Sequence, residues 1–304
     1  MSALGSRLSA LGSRLSALGS RLSALGSRLS SRAVARDLQF LFAGAVLTLA
    51  AAPVTAHAQE GRLERDVFTW SGRIPENRWI MIRNLNGPVY VQPSSGDRVE
   101  VTGTRRTRRG DPEFVRFEVK RFGASDQDVL ICALWGDNST CNEDGYRTRG
   151  QNNRNRTNDV TVEFRVRVPR GVKVAAHGVN GEVRVEGVQG EVEAGSVNGS
   201  VFVETRGGPV SASTVNGSVR ASMGKFTLDT DLRFSSVNGT VTAEFSDDLD
   251  AEVDLSTVNG RFLTDFPVTI TGRIDPRRLR ATIGKGGPRI RLSTVNGNVE
   301  LRRR

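Results

Sequence analysis

The chain has 304 residues, of which 37% are hydrophobic and 6% aromatic, with 33 glycines and a formal net charge of +10. This composition allows a modest core, excludes a globule of large packed helices, and favours short strands joined by tight turns in one or two domains. Six arginines and one aspartate in the first 58 residues account for half of the net charge, so nucleic acid is not an expected partner of the remainder.

The first 32 residues repeat Leu-Ser-Ala-Leu-Gly-Ser-Arg. Leu8, Leu11, Leu15, Leu18, Leu22, Leu25 and Leu29 have the 3-4 spacing of a coiled-coil seam. Every heptad also carries a glycine, which costs about 1 kcal/mol of helix propensity relative to alanine. An expanded DNA repeat or an upstream start site explains the tandem better than a working coiled coil. Arg32 and Arg36 then precede an apolar run over 38–52, and Ala56-His57-Ala58 gives a small-x-small cleavage pattern before Gln59. Residues 1–58 are therefore expected to be a repeat-extended signal peptide. The apolar run is shorter than the roughly 20 residues of a membrane-spanning helix. No transmembrane span is expected after cleavage, and the mature chain is expected in the periplasm, on the outer surface or in the medium.

Residues 59–168 read as an N-terminal β entry subdomain. Trp79-Ile80-Met81-Ile82 leads into Leu85-Asn86-Gly87, and Val89-Tyr90-Val91, Val99-Glu100-Val101 and the run 114–119 alternate with a period of two. Cys132 and Cys141 are the two cysteines of the chain; in an exported protein they are expected to form a disulfide worth about 2–3 kcal/mol. One histidine, His177, remains after cleavage, so no metal site and no cofactor are expected. Residues 136–159, rich in asparagine, arginine and glycine, read as a mobile surface insertion tethered by the disulfide, and as the place for any specific recognition. The basic runs at Arg105, Arg106, Arg108 and Arg109 and at Arg302, Arg303 and Arg304 read as solvated surface.

From residue 169 to 304 the chain is a repeat. Turn glycines fall every nine residues at Gly181, Gly190, Gly199, Gly208 and Gly217, every second turn is Val-Asn-Gly, and the motif returns at wider spacing around Asn238, Asn259 and Asn296. Asn-Gly is a strong hairpin signal, so an antiparallel meander competes with a parallel solenoid. The copies AHGVNGEV, AGSVNGSV, ASTVNGSV, FSSVNGTV, LSTVNGRF and LSTVNGNV align in one chain direction with like residues at like offsets. Stacking of equivalent strands explains that identity; reversed neighbours do not require it. The expected result is an all-β parallel solenoid. Asn180, Asn198, Asn216, Asn238, Asn259 and Asn296 would form a side-chain ladder along one corner. Ser196, Thr214, Ser236, Thr257 and Thr294 would lie beside them, and the valines flanking each turn would fill a thin core.

The stretch Val168-Pro169-Arg170-Gly171-Val172-Lys173-Val174, followed by spaced Val-Asn-Gly and Val-Gln-Gly turns, resembles a bacterial family of unknown function that goes by the name "putative adhesin". The resemblance spans residues 79–300. It implies a right-handed β-helix on the cell exterior or in the periplasm, and it brings no catalytic residues. An enzyme of this shape acting on polysaccharide would need converging carboxylates. Asp247, Asp248 and Asp250 form the densest acidic group, with Asp229 and Asp231 a second; both lie between repeats, where acidic turns are ordinary. His177 is expected at a repeat turn, on the surface. Gly284-Lys285-Gly286-Gly287 lacks the rest of a phosphate loop and reads as a turn. The expected function is that of an exported, non-enzymatic adhesin or scaffold whose partner is a surface, a glycan or an envelope protein. The alternative is a polysaccharide-binding or polysaccharide-cleaving β-helix of the cell envelope.

Overall fold

The computed structural model describes residues 64–148, 158–224, 230–270 and 275–304. The expected signal segment 1–58, the asparagine-rich tract 152–156 and Asp229 lie outside the described residues.

Alternation of apolar and polar side chains makes strands with one dry face, and the turns set their length at five to nine residues in most cases. The N-terminal strands are β1 (Glu64–Gly72), β2 (Trp79–Asn86), β3 (Val89–Pro93), β4 (Val99–Thr107), β5 (Val115–Phe122), β6 (Asp128–Trp135), the pair β7 (Ser139–Asn142) and β8 (Gly145–Thr148), and β9 (Thr161–Val168). The regular repeats supply β10 (Lys173–Asn180), β11 (Val183–Val188), β12 (Val192–Asn198), β13 (Val201–Thr205), β14 (Val210–Asn216), β15 (Val219–Met223), β16 (Leu232–Asn238) and β17 (Val241–Phe245). The last strands are β18 (Ala251–Asn259), β19 (Phe262–Thr264), β20 (Arg278–Ile283), β21 (Arg289–Asn296) and β22 (Val299–Arg303).

Two 10-stranded sheets result. Sheet A has the order β1-β4-β9-β3-β11-β13-β15-β17-β22-β19, and sheet B the order β20-β18-β21-β16-β14-β12-β10-β2-β6-β5. Each coil runs along a sheet B strand, turns at the Asn-Gly corner, and returns along a sheet A strand. Consecutive coils pair in parallel with asparagine facing asparagine, as in Asn180 with Asn198 and Asn198 with Asn216. The chain is thus a parallel β-solenoid. Antiparallel pairing joins β1, β4 and β9, β5 and β6, and β18 and β20, at the two ends of the stack, and the small β7–β8 hairpin.

The core is a set of columns along the stack. Val129, Ile80, Val174, Val192, Val210, Leu232, Ile290 and Val253 form one column of sheet B, and Phe164, Val89, Val183, Val201, Val219, Val241 and Val299 face them from sheet A; all are buried. Burial of each such side chain stabilises by about 1.5–3 kcal/mol. At the N-terminal end, Phe117 stacks on Phe68 at 4.5 Å and meets Phe164 edge-on at 5.8 Å. The open end of the core is closed there by aromatic rings.

One expectation is corrected. The valine of each Val-Asn-Gly turn points outward, with Val237, Val258 and Val295 39%, 52% and 40% exposed; the valine two residues after the glycine is the one in the core. The period of two decides this, because Thr214 and Ser236 take the inward positions and leave the next residue outside. The stack also departs from chain order. The β6–β9 coil lies outside the β2–β3 coil, and the last coil, β21–β22, sits between β16–β17 and β18–β19. The wider late spacings are the excursion that builds β18–β20 first and returns to fill the gap.

Candidate functional site

The Asn-Gly corner is a continuous hydrogen-bonded line. The side-chain amide of Asn180 donates to Asn86 at 2.8 Å, Asn198 to Asn180 at 2.9 Å, Asn216 to Asn198 at 2.8 Å, Asn238 to Asn216 at 2.8 Å, Asn296 to Asn238 at 2.7 Å, and Asn259 to Asn296 at 2.7 Å. Asn86 is an additional rung, supplied by the Leu85-Asn86-Gly87 turn of the first half of the chain. One turn inward, Ser196, Thr214, Ser236, Thr294 and Thr257 donate their hydroxyls to the turn-glycine carbonyl of the adjacent coil at 2.7–2.9 Å. Gly178 occupies that position in its coil and has no hydroxyl to give. Asn84 supplies the missing donor, its amide bonding both Gly87 O at 2.9 Å and Val162 O at 2.7 Å. The corner glycines are required by close approach: a Cβ on Gly199 would lie 2.0 Å from the carbonyl oxygen of Gly181 in the adjacent coil.

Cys132 and Cys141 are joined in a disulfide. It pins the β7–β8 hairpin over the outer face of β6, where Leu130, Leu134 and both cysteines form a second small core with Met81, Phe122 and Tyr146 packed on it. Residues 139–148 of the expected mobile insertion are thus a docked hairpin. At the far end of the insertion, Asp159 accepts hydrogen bonds from Thr107 Oγ1 at 2.5 Å and from the backbone N–H of Gly110 at 2.9 Å. The Thr107 bond, with these backbone donors, pulls its carboxyl down to about 2.

His177 lies on β10 rather than at a turn, between Arg83 of β2 and Gly195 of β12. Burial first, and the Arg83 guanidinium second, push its imidazole down to about 3. The acidic residues serve neighbouring loops. Asp250 Oδ1 accepts the Lys285 N–H at 2.7 Å, Asp231 Oδ1 accepts the Arg289 N–H at 2.9 Å, and Asp247 pairs with Arg303 at 3.6 Å. Asp248 follows Asp247 in the turn after β17. Among the described residues no three His, Cys, Asp or Glu side chains are grouped to hold a metal.

The outer face of sheet A is organised in a way that reading the repeats did not reveal. Arg165, Tyr90, Arg184, Phe202 and Arg220 follow one another on adjacent strands, so cations and rings alternate along the stack axis. Arg165 lies 5.5 Å from the Tyr90 ring centre and Arg184 lies 4.4 Å from that of Phe202. Carboxylates hold the guanidiniums: Glu163 on Arg165 at 2.6 Å, and Glu182 and Glu186 on Arg184 at 2.8 and 3.3 Å. The Glu182 hydrogen bond raises the pKa of Arg184 further, so its charge is permanent. Two depressions of about 390 and 200 Å³ meet at Arg184 and Glu186. The signal was legible in part: Tyr90, Arg184, Phe202 and Arg220 all lie three residues after a turn glycine. Arg165 does not, because its coil has the insertion in place of that turn.

These features define a two-sheet parallel β-solenoid with an amide-lined corner and fixed polar faces. Residues 136–302, more than half of the chain, match the Toastrack DUF4097 family, and the chain belongs to it. Similar solved structures include a "putative cell adhesion protein" from Clostridium sporogenes, 8% identical with a TM-score of 0.46 over 80% of this chain and 100% of that one. A "putative adhesin" from Bacteroides fragilis is 12% identical with a TM-score of 0.33 over 79% of this chain and 97% of that one. Comparison with curated proteins gives no match.

Proposed function

We propose that this protein is an exported, non-enzymatic adhesive scaffold, whose rigid outer faces hold a surface, a glycan or an envelope protein. In this reading residues 1–58 direct export and are removed after Ala58, residues 59–168 form the entry subdomain, and residues 169–304 carry the regular repeats. The observation that carries it is the outer face of sheet A. Its cations, rings and carboxylates are fixed against one another across five strands, which presents a broad pre-organised surface at little further cost in side-chain entropy. The Cys132–Cys141 disulfide supports an oxidising compartment. Among the described residues no helix is long and apolar enough to cross a membrane.

Fractionation of the native host followed by N-terminal sequencing tests export. A mature chain beginning at Gln59 in the periplasm, on the surface or in the medium is the expected result; an intact chain in the cytosol defeats it. Glycan turnover that disappears in Asp247→Asn and Asp250→Asn variants would overturn the non-enzymatic part.

A further inference from the structure

The basic runs of the sequence are largely paired: Arg105 with Asp66, Arg302 with Asp265 and Glu300, and Arg304 with Glu204. Two guanidiniums that make ion pairs but no hydrogen bond among the described residues lie instead on the outer face of sheet B. There Arg291 of β21 and Arg280 of β20 are the two lateral neighbours of Asp254 on β18. Asp254 is buried, and its carboxylate is taken by both arms of Arg278, at 2.9 and 2.6 Å. The Arg278 hydrogen bond, with the other guanidiniums, lowers its pKa and keeps it ionised.

Arg280 and Arg291 approach the same carboxylate only to 3.9 and 3.7 Å. These separations are too long for hydrogen bonds. Both guanidiniums are drawn toward Asp254 by charge, yet their N–H groups bond to nothing among the described residues. With Arg278 and Arg289 they line a depression of about 240 Å³, whose carboxylates are Asp254 and Glu252. Glu252 is 3.1 Å from Arg289. Four guanidiniums against two carboxylates leave a net positive, partly walled site.

We propose that this depression binds a phosphate group, held between the Arg280 and Arg291 guanidiniums over the buried Asp254. A guanidinium fork saturates a carboxylate, as Arg278 does with Asp254; two further forks on opposite sides call for an acceptor with three or more oxygens. Asp254 fixes the spacing of the forks, and its remaining neighbours supply the charge that a phosphate neutralises. A phosphate on a lipid headgroup and free phosphate share this chemistry. The site does not depend on export, so its failure and that of the scaffold reading are separable.

The test is titration calorimetry of the full chain with inorganic phosphate, alongside sedimentation with phosphatidic acid vesicles and with phosphatidylcholine vesicles. The expected result is saturable binding of phosphate, of phosphatidic acid vesicles, or of both, weakened by salt. Binding should fall at least tenfold in an Arg280→Gln/Arg291→Gln variant and stay unchanged in Arg170→Gln, an exposed position in the turn between β9 and β10. Phosphate binding alone assigns the free anion, and retention by phosphatidic acid vesicles assigns the headgroup. Absence of both, equal binding by the double variant, or tighter binding of polygalacturonate than of either phosphate probe overturns the proposal. Matching far-ultraviolet spectra and thermal midpoints for both variants verify that the fold is intact.

Discussion

At the residue scale, the corner asparagines differ in how much they hold. Asn216 donates to Asn198 and accepts from Asn238, whereas Asn259 ends the line with a single bond to Asn296. At about 0.5–1.5 kcal/mol for each hydrogen bond, Asn216→Ala should cost about twice as much as Asn259→Ala in urea unfolding. Equal costs would mean that the line is not cooperative with the fold. His177 makes a second case. Its folded pKa of about 3 lies below the ordinary value of 6.5, so between these values the unfolded chain binds a proton that the folded chain refuses. Its contribution to stability is complete above pH 6.5 and is lost as pH falls toward 3, by at most about 1.4 kcal/mol per pH unit. Glu193, whose pKa burial raises, acts in the opposite direction and is common to both chains in the comparison. Wild type should therefore lose more thermal stability than His177→Gln between pH 7 and 4; parallel curves would show that the imidazole is solvated. The hydroxyl and asparagine positions were readable from aligned repeats, because identical side chains at one offset must stack. Asn84 was not, since its task arises from a glycine in the next coil.

At the element scale, each coil depends on its neighbours through backbone bonds that side-chain patterns only imply. Val219 is fully buried and its N–H bonds Thr240 O at 3.0 Å in the next coil. Val219→Pro removes that donor, leaves the carbonyl unpaired and disturbs the core, at a cost of about 2 kcal/mol or more. A variant with an unchanged urea midpoint would contradict the register. The last coil has a stronger role. β21 pairs with β16 on one side and β18 on the other, so it alone among the sheet B strands connects β18 and β20 to the stack. Deletion of residues 288–304 should abolish amide exchange protection over 251–264 while leaving 174–223 protected. Retained protection at 251–264 would show that β18 docks without it. The strands themselves were legible from alternation, and the wider late spacing was visible, but its meaning as a coil left open and filled later was not.

At the scale of the whole molecule, stability in a solenoid is close to a sum of nearest-neighbour terms, and the two ends need protection from further strand addition. Antiparallel strands supply it at three of the four sheet edges, through β1 and β5 at one end and β20 at the other, while sheet A ends at the other end in the three-residue parallel strand β19. The amino-acid sequence by itself determined the all-β character, the Asn-Gly corner and the parallel stacking, because period-two alternation and repeated residues at like offsets are local properties that stacking rewards directly. It did not determine which coil lies on which. Any coil with an asparagine corner can pair with any other, so the pattern that encodes stacking is degenerate about order. That order is decided by which core columns and end strands fit together. Only the tertiary structure therefore placed Arg165 beside Tyr90, and Arg280 and Arg291 on either side of Asp254, since each of these meetings joins strands whose adjacency is non-local in the chain.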